Sequence, residues 1–130
     1  MTKPMELGDI KEGSYIMIDN SPCKVVEVEK SKPGKHGSAK VRIVGIDIFT
    51  GAKKSYVGPS ESKVDVPIIE KGSGQVLSVT GNVVQLMDLQ SFQTLEAEYM
   101  EEDLKPKIKE GQEVEYWKVM DKIKIVRIKS

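Results

Sequence analysis

A single cysteine, Cys23, and a single histidine, His36, limit the chemistry open to this chain. One cysteine forms no internal disulfide. Its place after Pro22, at the start of an apolar run, suits a small packed hydrophobe in a reducing compartment. A nucleophilic cysteine needs a histidine beside it, and His36 lies in a different local setting. Aromatic residues are scarce, with one Trp, four Tyr and two Phe, so few large rings are available to build a core. No apolar stretch approaches the roughly 20 residues that span a bilayer, and residues 1–9 contain no signal-peptide hydrophobic region. A cytoplasmic protein with no membrane partner is expected. Net charge is missing too, because 20 Lys+Arg meet 20 Asp+Glu. That argues against a simple polycation that coats nucleic acid, but not against a local basic patch. Low-complexity segments and short-period repeats are also absent.

What the chain does have is a succession of short β-rich runs punctuated by Gly, Pro, Asn and Asp. Ser14 to Asp19 is the first, closed by Asn20-Ser21-Pro22. Cys23 to Lys30 alternates, with Val26 and Val28 on one face and Glu27 and Glu29 on the other. Lys40 to Phe49 alternates as Val41/Ile43, slips by one residue, and resumes as Val44/Ile46/Ile48. A phase slip beside Gly45 predicts a β-bulge in that strand. Lys53 to Val57 and Lys63 to Val66 complete a first set. Pro67 and Lys71-Gly72 bracket a join at Ile68 to Glu70. The second set comprises Gln75 to Val79 and Val83 to Met87 around Thr80-Gly81-Asn82, then Phe92 to Ala97, Glu113 to Val119 and Ile123 to Ile128. Tyr99 to Ile108 is the one helix candidate, cut short by Pro106.

About five strands in some 60 to 70 residues make a sheet that must curl to cover its faces and edges. The expected fold is all-β, with two small β-barrels in tandem. Residues 1–69 form an SH3-like barrel, and residues 70–130 an oligonucleotide-binding (OB) barrel with one short helix. Neither half is basic as a whole: residues 1–70 carry 11 cations and 10 acids, and residues 71–130 carry 9 and 10. Within the first half, however, Lys30, Lys32, Lys35, Lys40 and Arg42 follow one another with no acid between them. In the second half Glu96, Glu98, Glu101, Glu102 and Asp103 cluster, and Lys118, Lys122, Lys124, Arg127 and Lys129 cluster later. Those late bases read as ordinary solvated strand surface.

The basic run centres on Ser31-Lys32-Pro33-Gly34-Lys35-His36-Gly37-Ser38-Ala39-Lys40, the tip of a long hairpin. Pro33-Gly34 suits the central positions of a type II turn. Glycines on both sides of Lys35 let its side chain project and let another macromolecule approach the backbone. Cations stacked on one loop repel each other, a cost that makes sense if the partner is a polyanion such as RNA. A Walker-type phosphate loop does not fit, since Gly-x-x-x-x-Gly-Lys-Ser/Thr is missing and a strand follows instead of a helix. A Schiff-base lysine would be desolvated, and a glycine-flanked hairpin tip is exposed.

Lys32-Pro33-Gly34-Lys35-His36-Gly37-Ser38-Ala39-Lys40 closely resembles the signature loop of the translation initiation factor 5A family, in its archaeal form. The tandem barrels extend the likeness over essentially the whole chain. Pro33 and Ser38 differ from the usual eukaryotic loop, while His36 and the two-domain length differ from bacterial elongation factor P. The resemblance implies that Lys35 receives an aminobutyl group from spermidine by way of deoxyhypusine synthase, giving deoxyhypusine or hypusine, with no other cofactor and no metal. It also implies that Lys32, Pro33, Gly34, His36, Gly37, Ser38 and Lys40 form a loop that contacts the ribosome and peptidyl-tRNA. The modified side chain would reach the tRNA end and promote the first peptide bond and stalled, polyproline-type elongation. No catalysis by the chain itself and no small-molecule substrate are expected. The alternative is a general SH3/OB RNA-binding protein with no modified lysine. Tyr116-Trp117 reads either as packing or as an aromatic platform for bases.

Overall fold

The computed structural model describes residues 2–31 and 39–129, in two compact units divided between Ile68 and Ile69. In the first, β1 (Thr2–Glu6) pairs antiparallel with β6 (Lys63–Pro67). A second sheet runs in the order β2 (Tyr15–Ile18), β3 (Ser21–Ser31), β4 (Lys40–Asp47), β5 (Lys53–Pro59). The two sheets enclose Leu7, Ile16, Ile18, Val25, Val41 and Ile43, each at most 1% exposed. Strand β1 is not visible in the hydrophobic pattern, because Thr-Lys-Pro-Met-Glu does not alternate. It is a strand because β6 supplies its hydrogen-bonding partner.

Cys23 is a free thiol packed in this core at 0% exposure, and burial pushes its pKa up. The bulge expected beside Gly45 lies across the ladder instead. The β3–β4 register shifts between Val25 and Glu27. Val26 is the extra residue and is turned out to 47% exposure, while Val25 takes the core position. The phase slip on β4 therefore reports a bulge in its neighbour. Gly45 serves close approach: a Cβ there would lie 2.9 Å from Cys23 Cβ and 3.2 Å from Ile18 Cδ1. The β2–β3 connection is Asp19-Asn20, both at positive φ, as a tight hairpin turn with the right twist requires.

The second unit contains β7 (Glu70–Thr80), β8 (Val83–Asp88), β9 (Thr94–Ala97), β10 (Tyr99–Met100), β11 (Glu113–Val119) and β12 (Lys122–Ile128). The sheet order is β10-β12-β11-β7-β8-β9. Only Glu98 separates β9 from β10, so one stretch of chain pairs antiparallel with β8 and then parallel with β12. That double pairing closes the sheet into a barrel around Val76, Val84, Leu86, Val114 and Ile125. Chain order and closure are those of an OB fold, and the all-β, two-barrel expectation holds. The helix expected over Tyr99 to Ile108 reduces to one 3₁₀ turn, Glu102–Leu104, preceded by β10. Pro106 denies the segment a continuous hydrogen-bond ladder. Leu104 and Ile108 still pack on the barrel core. Among the described residues, no helix is long and apolar enough to cross a membrane.

Candidate functional site

The basic, glycine-containing segment lies in the chain between β3 and β4. The final register pair is Ser31↔Lys40, and Ser31 Oγ donates to the Lys40 carbonyl at 3.3 Å. The Ala39 carbonyl accepts the Ser60 N–H at 2.8 Å, which ties the neck to the β5–β6 connection. Lys32, Pro33, Gly34, Lys35, His36, Gly37 and Ser38 lie outside the described residues. Of the expected site residues, Lys40 is described, and it is exposed at the neck.

The neck borders a shallow cleft of about 270 Å³ lined by Glu29, Lys30, Ser31, Lys40, Arg42 and Val57. Its cations differ in what they do. Lys30 donates from Nζ to the Gly8 carbonyl at 2.9 Å and so helps hold the end of the barrel. Arg42 Nη1 stands 3.7 Å from Glu27 Oε2 and 3.7 Å from Glu29 Oε2. At Arg42, a run without acids in sequence is therefore met by acids across the hairpin. The register explains it, because Glu29 is paired directly with Arg42. Numbering pairs outward from the hairpin tip in the sequence would have exposed this neutralisation. Both ion pairs are long and solvent-exposed, so each contributes at most about 1 kcal/mol. Among the described residues, Lys30 and Lys40 are the neck cations with no acidic partner, and Lys30 is tied to a backbone carbonyl.

Three of the five late bases are paired with acids. Lys124 meets Glu101 at 2.9 Å, Arg127 meets Glu115 at 3.0 Å and Lys129 meets Glu113 at 3.8 Å. Tyr116 and Trp117 do not form a joint platform. Tyr116 is 7% exposed in the barrel core, while Trp117 is half-buried with the Lys71 ammonium 5.1 Å above its ring.

A feature absent from the sequence reading is the bond from the Tyr116 hydroxyl to Asp88 Oδ2. The Tyr116 hydroxyl, followed by N–H groups of Ser91 and Gln90, holds the Asp88 carboxyl down to about 2. Burial, then the bond to Asp88, pushes Tyr116 up to about 12. A lowered carboxyl pKa stabilises the fold above its ordinary value near 3.8 and loses that contribution as pH falls toward 2. Tyr116→Phe is thus expected to destabilise the second unit by about 1 kcal/mol near neutrality, since Asp88 is partly exposed and its charged hydrogen bond is discounted accordingly. Thermal melts of both proteins from pH 5 to pH 2 should show the gap narrowing. A gap that does not change with pH would count against the Asp88–Tyr116 pair as its source.

Two family profiles match the chain. Residues 1–62 match "Translation initiation factor 5A-like, N-terminal", and residues 68–129 match "Eukaryotic elongation factor 5A hypusine, DNA-binding OB fold". Translation initiation factor 5A of Pyrobaculum neutrophilum is 52% identical over 130 residues, covering 98% of each chain. That of Metallosphaera sedula is 57% identical over 124 residues, covering 95% of each. Among solved structures, translation initiation factor 5A from Methanococcus jannaschii superposes with a TM-score of 0.89 at 48% identity, covering 98% of this chain and 95% of that one.

Proposed function

The chain belongs to the translation initiation factor 5A family, and from that membership we propose that it binds the ribosome beside peptidyl-tRNA and promotes peptide-bond formation through a modified Lys35. The observation that carries this reading is Gly34-Lys35-His36-Gly37 in the connection that follows the Ser31↔Lys40 pair. In this reading deoxyhypusine synthase adds the aminobutyl group of spermidine to the Lys35 amine, giving deoxyhypusine or hypusine. The product is a longer arm with a second cation. Lys32 and Lys40 supply phosphate contacts at the foot of the arm. Pro33, Gly34, Gly37 and Ser38 shape its approach, and His36 meets RNA or the modifying enzyme.

The rate effect is one of positioning. Proline is a poor reaction partner partly because its ring restricts the chain. An arm that holds the tRNA end in a reactive pose converts lost orientation into rate. The ribosome carries out the bond-forming step, and this chain contributes no catalytic group of its own. Protein isolated from the native host should yield a Lys35-containing peptide heavier by an aminobutyl group, or by a hydroxylated one, on mass spectrometry. Native protein with Lys35 consistently bare would overturn the proposal.

A further inference from the structure

The hairpin loop between β8 and β9 sets an exposed aromatic side chain at a turn position that suits glycine. Among the described residues, five other than glycine have positive φ: Asp19, Asn20, Phe92, Met120 and Asp121. Four of them sit in the hairpin turns between β2 and β3 and between β11 and β12, where that conformation sets the turn. Phe92 does not. It stands at φ +60, where a side chain costs roughly 1 kcal/mol that glycine avoids. Its ring is 70% exposed, so the barrel core receives nothing in return. One residue therefore bears both backbone strain and an apolar side chain in water, in a chain with only two Phe.

The loop holding this ring is firmly organised. Asp88 Oδ1 accepts the N–H groups of Gln90 and Ser91, both at 2.8 Å. Its other carboxylate oxygen accepts the Tyr116 hydroxyl, and its carbonyl accepts the Phe92 N–H at 2.8 Å. The Leu89 N–H donates to the Ser73 carbonyl at 3.0 Å, tying the loop to β7. Leu89, 36% exposed, adds a second apolar group to the same loop. A ring held this way loses little conformational freedom on binding, which is the condition for an efficient anchor.

Charge decides what it anchors to. Residues 88–98 contain Asp88, Glu96 and Glu98 and no cation. Lys71 and Lys118, in the cavity behind Leu89, are matched there by Glu70 and Asp88, which leaves Glu96 and Glu98 as the surplus charge. Such a surface repels phosphate and attracts a basic one. We propose that the Asp88-anchored loop is a docking element that inserts Phe92 into an apolar, basic-rimmed pocket of a partner protein. Given the function proposed above, that protein is a component of the ribosome.

The test uses factor carrying the Lys35 modification and ribosomes purified from the native host. Phe92→Gly should melt at or above the temperature of the unsubstituted factor, because glycine relieves the strain. It should bind ribosomes at least about tenfold more weakly, as loss of a buried aromatic anchor does. A benzophenone amino acid at position 92 should cross-link to a ribosomal protein. The proposal is overturned by unchanged affinity of Phe92→Gly, by a lower melting temperature, or by a cross-link to ribosomal RNA or to a second copy of the chain. Failure of the unsubstituted factor to bind ribosomes is a separate outcome: it removes the functional reading, and this inference with it.

Discussion

Lys35→Arg is expected to leave the melting temperature unchanged and to remove the ability to rescue polyproline synthesis. Arginine keeps a positive charge in the same position, so a contact that needs only a cation survives the change. Arginine offers no primary amine for aminobutyl transfer, and its guanidinium is a planar fork in place of a compact ammonium. The substitution therefore separates charge from modification. If Lys35 acts through an extended arm, the loss is at least tenfold in the rate of peptide-bond formation at a stalled proline, equivalent to about 1.4 kcal/mol of barrier. A reconstituted translation assay on a polyproline template measures it directly. Rescue by Lys35→Arg equal to that of the unsubstituted protein would sink the modification mechanism and favour a general RNA-binding role. Stability should be indifferent, because Lys35 falls in the sequence between Ser31 and Lys40, the register pair at the end of the described β3–β4 ladder.

The second large effect concerns the fold. Gly72 is paired with Tyr116 across β7 and β11, and the tyrosine ring lies over it. A Cβ on residue 72 would stand 2.6 Å from both Cζ and Oη of Tyr116 and 2.8 Å from Cε2. Gly72→Ala must displace a ring that is 7% exposed and bonded to Asp88. Overpacking of this kind costs about 1–3 kcal/mol, and loss of the hydroxyl bond adds about 1 kcal/mol. For a unit of this size, a total near 3 kcal/mol lowers the melting temperature by on the order of 15 °C. Adding Tyr116→Leu to Gly72→Ala should recover part of that loss, because the two changes act on the same space. Wild-type melting of Gly72→Ala would mean that the ring does not depend on the missing side chain.

Much of the architecture is legible in residue order. Val41/Ile43 alternation, Thr80-Gly81-Asn82 between apolar runs, and Glu113 to Val119 each mark a strand or turn through interactions between near neighbours. Strand β1 is not legible, because its polar, proline-containing sequence becomes a strand only by pairing with β6 about sixty residues later. Over Tyr99 to Ile108 the apolar residues suggest a helix, but closure of the barrel through β10 and β12 takes the first part as a strand. The basic run from Lys30 to Arg42 is legible as charge but not as field. Its acids, Glu27 and Glu29, precede it in sequence and face Arg42 across the ladder. Tyr116 and Trp117 are adjacent in sequence, yet one fills the barrel and the other lies beneath Lys71.

The sequence alone determined that the chain is built of short strands in two small barrels. It also singled out Gly34-Lys35-His36-Gly37 as the segment whose chemistry matters, since turn residues, alternation and a loop motif are local properties. The tertiary structure decided which cations at the hairpin neck are already neutralised and that the bulge falls at Val26 and not beside Gly45. It also decided why residue 72 is glycine and how Asp88 holds Phe92 out into water. Each of these depends on groups far apart along the chain that meet only when the sheets close, so no local pattern records them.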